Sequence, residues 1–165
     1  MEKIPISTIV FPIRNLQNPE VLLGMKLRGF GAGKPNGFGG KVKEGETILA
    51  AASRELKEES RLLVEEKNLQ EIATIHFFEN QKLVFLCYIF IIQKWMGTEG
   101  DTEEMGSLKW FSFKEIPYEQ MWAADSMWMP IVFSNKKFDA TVVFKDGMNE
   151  IKAFVWKERN VTQEI

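Results

Sequence analysis

The chain has 165 residues, a length typical of one domain, and 45% of them are hydrophobic, enough to bury a core. The formal net charge of −2 excludes a strongly basic surface of the kind that holds duplex nucleic acid by its phosphates. One cysteine, Cys87, and one histidine, His76, exclude an intrachain disulfide and a Cys/His zinc cluster. Any bound metal is therefore expected on oxygen ligands, as for Mg²⁺ or Mn²⁺.

The hydrophobic segments predict strands and core rather than membrane spans. The longest apolar run, residues 83–92, is too short to cross a bilayer. The first fifteen residues lack the basic, apolar and small-residue regions of a signal peptide. We therefore expect a single domain over residues 1–165, in the cytoplasm and away from membranes, and we expect it to be a monomer.

The pattern along the chain predicts a mixed α/β domain in which strands outnumber helices. In chain order, strands are predicted at residues 4–13, 21–26, 69–78, 83–95, 108–113, 138–144 and 150–156. Residues 29–41, which hold six of the twelve glycines, are predicted to form a loop. Thr47 is predicted to cap a helix that runs to about Ser60. Asp125 is predicted to cap a second helix, with Pro130 in or near its first turn.

The first predicted helix carries three glutamates on one face. Glu55, Glu58 and Glu59 stand at i, i+3 and i+4, where like charges repel unless a cation lies between them. At about 100° per residue, Glu55 and Glu59 fall beside the apolar stripe that contains Leu56, so they border the body of the protein. The alternative is a solvated surface helix in which Arg54 and Glu58 form a weak i, i+4 ion pair.

The glycine-rich loop directly precedes this helix, and its backbone can approach an anion because it carries few side chains. The loop is not a P-loop, since Val42 stands where Ser or Thr is required, and no G-x-G-x-x-G is present. Alone, the loop indicates only tight turns.

Together, the loop and the helix resemble the Nudix box. Gly40, Glu46, the run 54–59 (RELKEE) and Leu62 stand at the spacing of that motif. One position departs from it, because Arg61 replaces the glycine that usually ends the helix. We expect a different turn there, with no necessary loss of activity. The resemblance implies the Nudix fold, an α/β/α sandwich with a mixed β-sheet between helices.

Two further segments, KLRGFGAGKPNGFGGKV and MWAADSMWMP, are similar to the branch of this family that hydrolyses oxidised purine nucleoside triphosphates such as 8-oxo-dGTP, in MutT-type and eukaryotic-type enzymes. This resemblance implies a small-molecule nucleotide as partner and Mg²⁺ as cofactor, with Mn²⁺ as a substitute. It also implies release of nucleoside monophosphate and pyrophosphate, which sanitises the nucleotide pool in support of DNA repair.

The resemblance also implies roles for single residues. The implied metal ligands are the Gly40 carbonyl, Glu55, Glu58, Glu59 and Glu104, although Glu104 could equally be a solvated loop acid. Either Glu59 or Glu55 is implied as the base that accepts a proton from water. Arg54 is implied to orient the glutamates, and Glu46 to brace the junction between loop and helix. Lys26 and Lys41 are candidate phosphate contacts, with ordinary solvated lysines as the alternative.

The same resemblance places a purine base on Trp122, whose indole offers a large rigid face. The other implied pocket residues are Phe30, Phe77, Met105 and Trp128, for each of which core packing is the alternative.

Asn36 and Asp125 are expected to read the edge of the base. The branch often has two adjacent acids after the tryptophan, and here Ala124 takes the place of one of them. Because a carboxylate pair can share one proton and offer a donor and an acceptor together, we expect weaker or altered discrimination between oxidised and normal purines.

Other interpretations remain open at this level. The substrate could be another Nudix substrate, such as a nucleotide sugar, ADP-ribose or an RNA 5′ end, although the low positive charge disfavours RNA. Arg61 and Ala124 also allow a nucleotide-binding sensor without catalysis. We expect His76 to be a packing or surface residue and Cys87 to be a core thiol.

Overall fold

The computed structural model describes residues 2–160 of the chain, which contain nine strands and two α-helices. The strands are β1 (Ile6–Arg14), β2 (Glu20–Lys26), β3 (Pro35–Asn36), β4 (Phe38–Lys41), β5 (Gln70–Glu79), β6 (Lys82–Ile92), β7 (Met105–Ser112), β8 (Phe138–Phe144) and β9 (Ile151–Glu158). The helices are α1 (Ile48–Ser60) and α2 (Asp125–Phe133). Within residues 2–160, neither helix is long and apolar enough to cross a membrane.

The strands form one mixed sheet in the order β3-β2-β1-β6-β5-β8-β9, with β4 paired to β1 and β7 paired to β2. The β1–β6 and β5–β8 pairs are parallel, and the other pairs are antiparallel. Strand β1 is shared between two neighbours on one side. Its first half pairs with β4, from Ser7↔Lys41 to Val10↔Phe38, and its end pairs with β2 at Ile13↔Val21.

Each face of the sheet is covered by one helix. Successive side chains of a strand point to opposite faces. On β1, Val10 packs into the cluster that contains Leu56 of α1, whereas Phe11 packs into the cluster that contains Trp128 of α2. The two helices therefore lie on opposite faces, and the predicted α/β/α sandwich with a mixed sheet is confirmed.

Helix α1 begins as predicted, with the Thr47 hydroxyl accepting a hydrogen bond from the Ala50 N–H at 3.1 Å. The predicted change of turn at its end is wrong. Arg61 itself adopts the left-handed conformation (φ 68°) that glycine favours, and its N–H donates to the Lys57 carbonyl at 3.0 Å. For a residue with a Cβ this conformation costs roughly 1–2 kcal/mol, so the chain keeps the geometry of the turn without the glycine.

Two other predictions about local structure are wrong. Residues 29–41 are not all loop, because β3 and β4 form there by pairing with β2 and β1. Asp125 does not cap α2. Ala124 is the N-cap without a side-chain bond, and the Asp125 carboxylate instead accepts from the Trp122 N–H at 3.0 Å. Pro130 lies beyond the first turn, because the helix already begins at Asp125.

Candidate active site

The glycines of β4 bring its backbone against the glutamates of α1. A Cβ on Gly40 would lie 2.5 Å from Glu55 Oε1, so a larger residue here would displace that carboxylate from its present position. The Gly39 N–H donates to Glu59 Oε1 at 2.7 Å. The glycine-rich segment and the acidic face, which are consecutive in the sequence, thus form one site.

Glu59 is the buried member of the acidic face, with only 3% of its surface exposed. Burial raises the pKa of this carboxyl to about 7, although the Gly39 N–H and the positive charge of Lys26 act in the opposite direction. The nearby charges of Glu55 and Glu104 raise the pKa further. A cation at this place would favour the charged form of Glu59, because opposite charges lower a carboxyl pKa.

Arg54 lies among the other glutamates. Its Nε and Nη2 donate to the two oxygens of Glu46 at 2.7 and 2.9 Å, which lowers the pKa of Glu46 to about 2. Its Nη1 donates to Glu55 at 2.9 Å and to Glu58 at 3.2 Å. Nη2 also donates to the Lys41 carbonyl at 3.2 Å, so one guanidinium joins the end of β4 to α1.

The five residues expected to ligate metal are not equally close to this junction. Gly40, Glu55 and Glu59 meet where β4 packs against α1. Glu58 is exposed and contacts Arg54. Glu104 pairs with Arg28 at 2.6 Å, and this hydrogen-bonded cation lowers the pKa of the Glu104 carboxyl.

The donor chemistry at this junction fits a hard divalent cation. In residues 2–160, no three acidic, histidine or cysteine side chains stand close enough to form a ready-made metal centre. The available ligand atoms are nevertheless carboxylate and carbonyl oxygens, and no ion pair among the described residues includes Glu59. The Thr8 hydroxyl, on β1 opposite Gly40, is buried and lacks a hydrogen-bond partner in the same range. The hydroxyl of Thr8 is thus a further polar atom at this junction whose hydrogen-bonding capacity is not used by the described residues.

The two candidate phosphate contacts differ in position. Lys26, at the end of β2, is half-buried, and its charge acts on Glu59. Lys41 is exposed, and its contact with the site is through its backbone carbonyl. The structure therefore brings Lys26 to the acidic site more clearly than Lys41.

A second part of the site is built around Trp122. The Phe30 ring stacks on the indole, with centroids 4.8 Å apart and planes at 17°. Phe30 is 68% exposed and stands between Gly29 and Gly31, whose φ angles are 78° and 88°. A Cβ on Gly31 would lie 3.1 Å from Trp122 Nε1. Glycine thus lets the turn after β2 pack directly on the indole.

A cavity of about 470 Å³ borders Trp122. The residues that line it are Lys34, Tyr118, Glu119, Met121, Trp122, Ala123, Ser126, Phe144, Met148 and Asn149. Phe77 is buried and stacks between Phe85 and Phe144, at centroid distances of 4.4 and 6.2 Å. Of the aromatic residues predicted for the base pocket, Trp122 therefore lines this cavity and Phe77 supports its wall through Phe144.

Asn36 and Asp125 are held by backbone groups of the same region. Asn36 Nδ2 donates to the Lys34 carbonyl at 3.0 Å. The Asp125 carboxyl is 7% exposed, and burial raises its pKa to about 7. The Trp122 N–H and the positive charge of Lys34 lower that pKa in part. Of the two polar side chains expected to read a base, Asp125 is thus anchored to the backbone of Trp122, and Asn36 to that of Lys34, whose side chain lies over the same indole.

Comparison with known proteins identifies the family. A model described as the NUDIX domain matches residues 3–130. The chain belongs to the NUDIX family. The oxidized purine nucleoside triphosphate hydrolase of Danio rerio is 47% identical over 124 residues, 74% of this chain and 78% of that protein. Its namesake in Mus musculus is 46% identical over 132 residues, 79% and 83% of the two chains.

Solved structures show the same NUDIX fold. The MutT protein of Bacillus halodurans superposes with a TM-score of 0.71 at 23% identity, covering 93% of this chain and 98% of that one. A NUDIX hydrolase of Nitrosomonas europaea gives a TM-score of 0.69 at 16% identity, covering 88% and 81%.

Several residues in this NUDIX chain have the positions expected from the core-packing alternative. Met105 is fully buried on the α1 face, and Trp128 is buried on the α2 face. Cys87 is a buried thiol whose pKa burial raises to about 12. His76 is half-buried on β5.

Sequence reasoning missed two polar residues of this NUDIX site. Thr8 is a hydroxyl residue within an otherwise apolar strand, and its buried, unpartnered oxygen is the feature that singles it out. Lys34 follows the glycine-rich turn and lies over Trp122, 88 positions later in the chain. The position of Thr8 in a strand pattern could have indicated the first residue, but only the fold shows the second.

The raised pKa of Asp125 predicts that the folding stability of this NUDIX protein depends on pH. The carboxyl titrates at 3.8 in an unperturbed chain and at about 7 in the fold, so the native state holds an extra proton between these values. The contribution of this carboxyl to the free energy of unfolding is largest below pH 3.8 and is lost as the pH rises to about 7. Asp125→Asn removes this slope, at most about 1.4 kcal/mol per pH unit. The melting temperature of the variant minus that of the wild type should therefore rise from pH 5 to pH 8, and parallel curves would contradict the assignment.

Proposed function

We propose that this NUDIX chain, as one domain over residues 1–165, hydrolyses oxidised purine nucleoside triphosphates such as 8-oxo-dGTP to nucleoside monophosphate and pyrophosphate. We further propose that it does so as a cytoplasmic monomer that sanitises the nucleotide pool. The relatives of 46–47% identity carry the name of this activity. The observation that carries the hydrolytic step is the buried carboxylate of Glu59, held by the Gly39 N–H beside Glu55.

Gly40, Glu55, Glu58, Glu59 and Glu104 are the proposed ligands of Mg²⁺, for which Mn²⁺ can substitute. When bound, a divalent cation supplies charge neutralisation for the phosphates and acidifies water. Lys26, half-buried near Glu59, and Lys41 add positive charge for the phosphates.

Glu59 is the better placed of the two candidate bases. Glu55 is engaged by Arg54 at 2.9 Å, whereas Glu59 accepts only from the Gly39 N–H at 2.7 Å in the described chain. Each carboxylate keeps its second oxygen, but within the described chain only Glu55 has a guanidinium bonded to it, so the charge of Glu59 is the more available to accept a proton from water. Arg54 positions Glu55 and Glu58 from the other side.

The base is proposed to stack on Trp122 at the cavity. Phe30 packs on the same indole, and Phe77 packs on Phe144 in the cavity wall. Asn36 and Asp125 are proposed to read its edge. Ala124 leaves Asp125 without an adjacent acid, so we expect the preference for oxidised over normal purines to be present but reduced.

A substrate panel tests this proposal. With Mg²⁺, 8-oxo-dGTP should give monophosphate and pyrophosphate with a higher kcat/KM than dGTP, and removal of the metal with EDTA should abolish turnover until Mg²⁺ is restored. Nucleotide sugars, ADP-ribose and capped RNA complete the panel, with product identity read by chromatography. Equal rates for dGTP and 8-oxo-dGTP, or faster cleavage of a diphosphate compound, would overturn the proposed substrate. Tight nucleotide binding without product would indicate a sensor.

A further inference from the structure

Lys34 is a half-buried cation beside the proposed base platform. Its Nζ lies 5.1 Å from the centroid of the Trp122 ring. No acidic side chain in residues 2–160 forms an ion pair with it. A half-buried lysine can pack its stem against the protein while its ammonium stays accessible, so the N–H donors of Lys34 are available to a ligand.

Lys34 also borders the space in which a ligand could stand. It lines the cavity of about 470 Å³ together with Trp122, whereas Phe30, which stacks on the same indole, does not. Stacked aromatic rings have centroids about 4.5–7 Å apart, so the ammonium, which lies over the indole 5.1 Å from its centroid, borders or occupies the space that a stacked base would enter. A flexible lysine at this position can move to the rim of the base and donate to its edge.

The other two polar side chains expected to contact the base already have hydrogen-bond partners in the protein. The Asp125 carboxyl accepts from the Trp122 N–H, and Asn36 donates to the Lys34 carbonyl. Lys34 is therefore a pocket group with free hydrogen-bond donors, and its positive charge also acts on Asp125. Ring carbonyl oxygens are the strong acceptors that distinguish oxopurines from adenine.

We propose that Lys34 is a specificity-determining residue whose ammonium donates to a ring carbonyl oxygen of a purine stacked on Trp122. This inference rests on the proposed nucleotide hydrolysis. It adds that the protein recognises the ring carbonyl oxygen of the base. It predicts that bases with a carbonyl depend on Lys34, whereas adenine does not.

The test compares Lys34→Met with wild type on triphosphates that differ only in the base. We expect kcat/KM to fall about 10- to 100-fold for dGTP, dITP and 8-oxo-dGTP, the range for a hydrogen bond from a charged group. The value for dATP should change less than about twofold. Lys34→Arg should recover part of the loss, because a guanidinium keeps donors at the same level.

A matched control removes a similar cation elsewhere. Lys136 Nζ lies 5.9 Å from the Trp156 ring, on an exposed surface, and Lys136→Met should leave the whole panel unchanged. An equal loss for dATP and the carbonyl bases would show that Lys34 contacts phosphate or supports the fold, and would overturn the inference, as would no loss at all. Failure of the wild type to cleave any nucleoside triphosphate would instead refute the proposed function.

Discussion

Replacing Glu59 by glutamine should lower kcat by about 10²–10⁴-fold in the presence of Mg²⁺, the range for loss of a general base. The melting temperature should stay the same or rise. Glutamine keeps an oxygen that can accept from the Gly39 N–H, now at 2.7 Å, and it removes a carboxyl that burial makes hard to ionise. Pyrophosphate release and thermal unfolding, measured on the same preparation, check both halves of this expectation.

The matched control is Glu66→Gln, which removes an exposed carboxylate from a short 3₁₀ turn outside the site. Its kcat and melting temperature should equal those of the wild type. Wild-type turnover in Glu59→Gln would refute a role for this carboxylate in hydrolysis. A large drop in melting temperature would show that Glu59 acts through the fold instead. Glu55→Gln, measured alongside, tests whether the second candidate base contributes.

Replacing Gly39 by alanine should destabilise the fold by more than about 3 kcal/mol, beyond the usual cost of overpacking. The added Cβ would lie 1.7 Å from the Thr8 carbonyl oxygen and 2.9 Å from the Ile9 Cα. Both are backbone atoms, so no rotamer change relieves the overlap and the β1–β4 pairing must open. For a chain of this size, the melting temperature should fall by about 6–12 °C or more. Turnover should fall as well, because the Gly39 N–H would leave Glu59.

Gly106→Ala in β7 is the control for this substitution. Its Cβ would meet only side-chain atoms of Leu27, at 3.3 Å, which can move aside. We expect a change in melting temperature of no more than about 2 °C. If Gly39→Ala kept the wild-type melting temperature and turnover, the close contact between β1 and β4 would not be required.

The local sequence pattern was sufficient to predict those elements whose signals all lie within consecutive residues. Helix α1 has an apolar stripe, a capping threonine and an acidic face within consecutive residues, and its bounds and the burial of Glu59 followed from helical periodicity. The strands of six or more residues were likewise found from their apolar alternation, with errors of a few residues at the ends.

Features that depend on distant partners could not be predicted in this way. Strand β3 has only two residues, and it is a strand because Pro35 and Asn36 pair with Met25 and Gly24. Asp125 is a residue type that favours helix caps, yet its carboxylate bonds the backbone N–H that precedes the helix. The ion pair between Arg28 and Glu104 joins positions 76 residues apart, so no local rule indicates it.

The two hydrophobic clusters lie on opposite faces of the sheet, so substitutions in one cluster have few direct contacts with the other. The glutamates belong to a helix whose apolar side chains fill one cluster, while Met121, Ala124 and Trp128, around the proposed base platform, fill the other. Substitutions without shared contacts have nearly additive effects on stability. Substitutions in the proposed base pocket can therefore leave the packing that supports the glutamates intact, so this architecture allows the proposed base recognition to change separately from the acidic face.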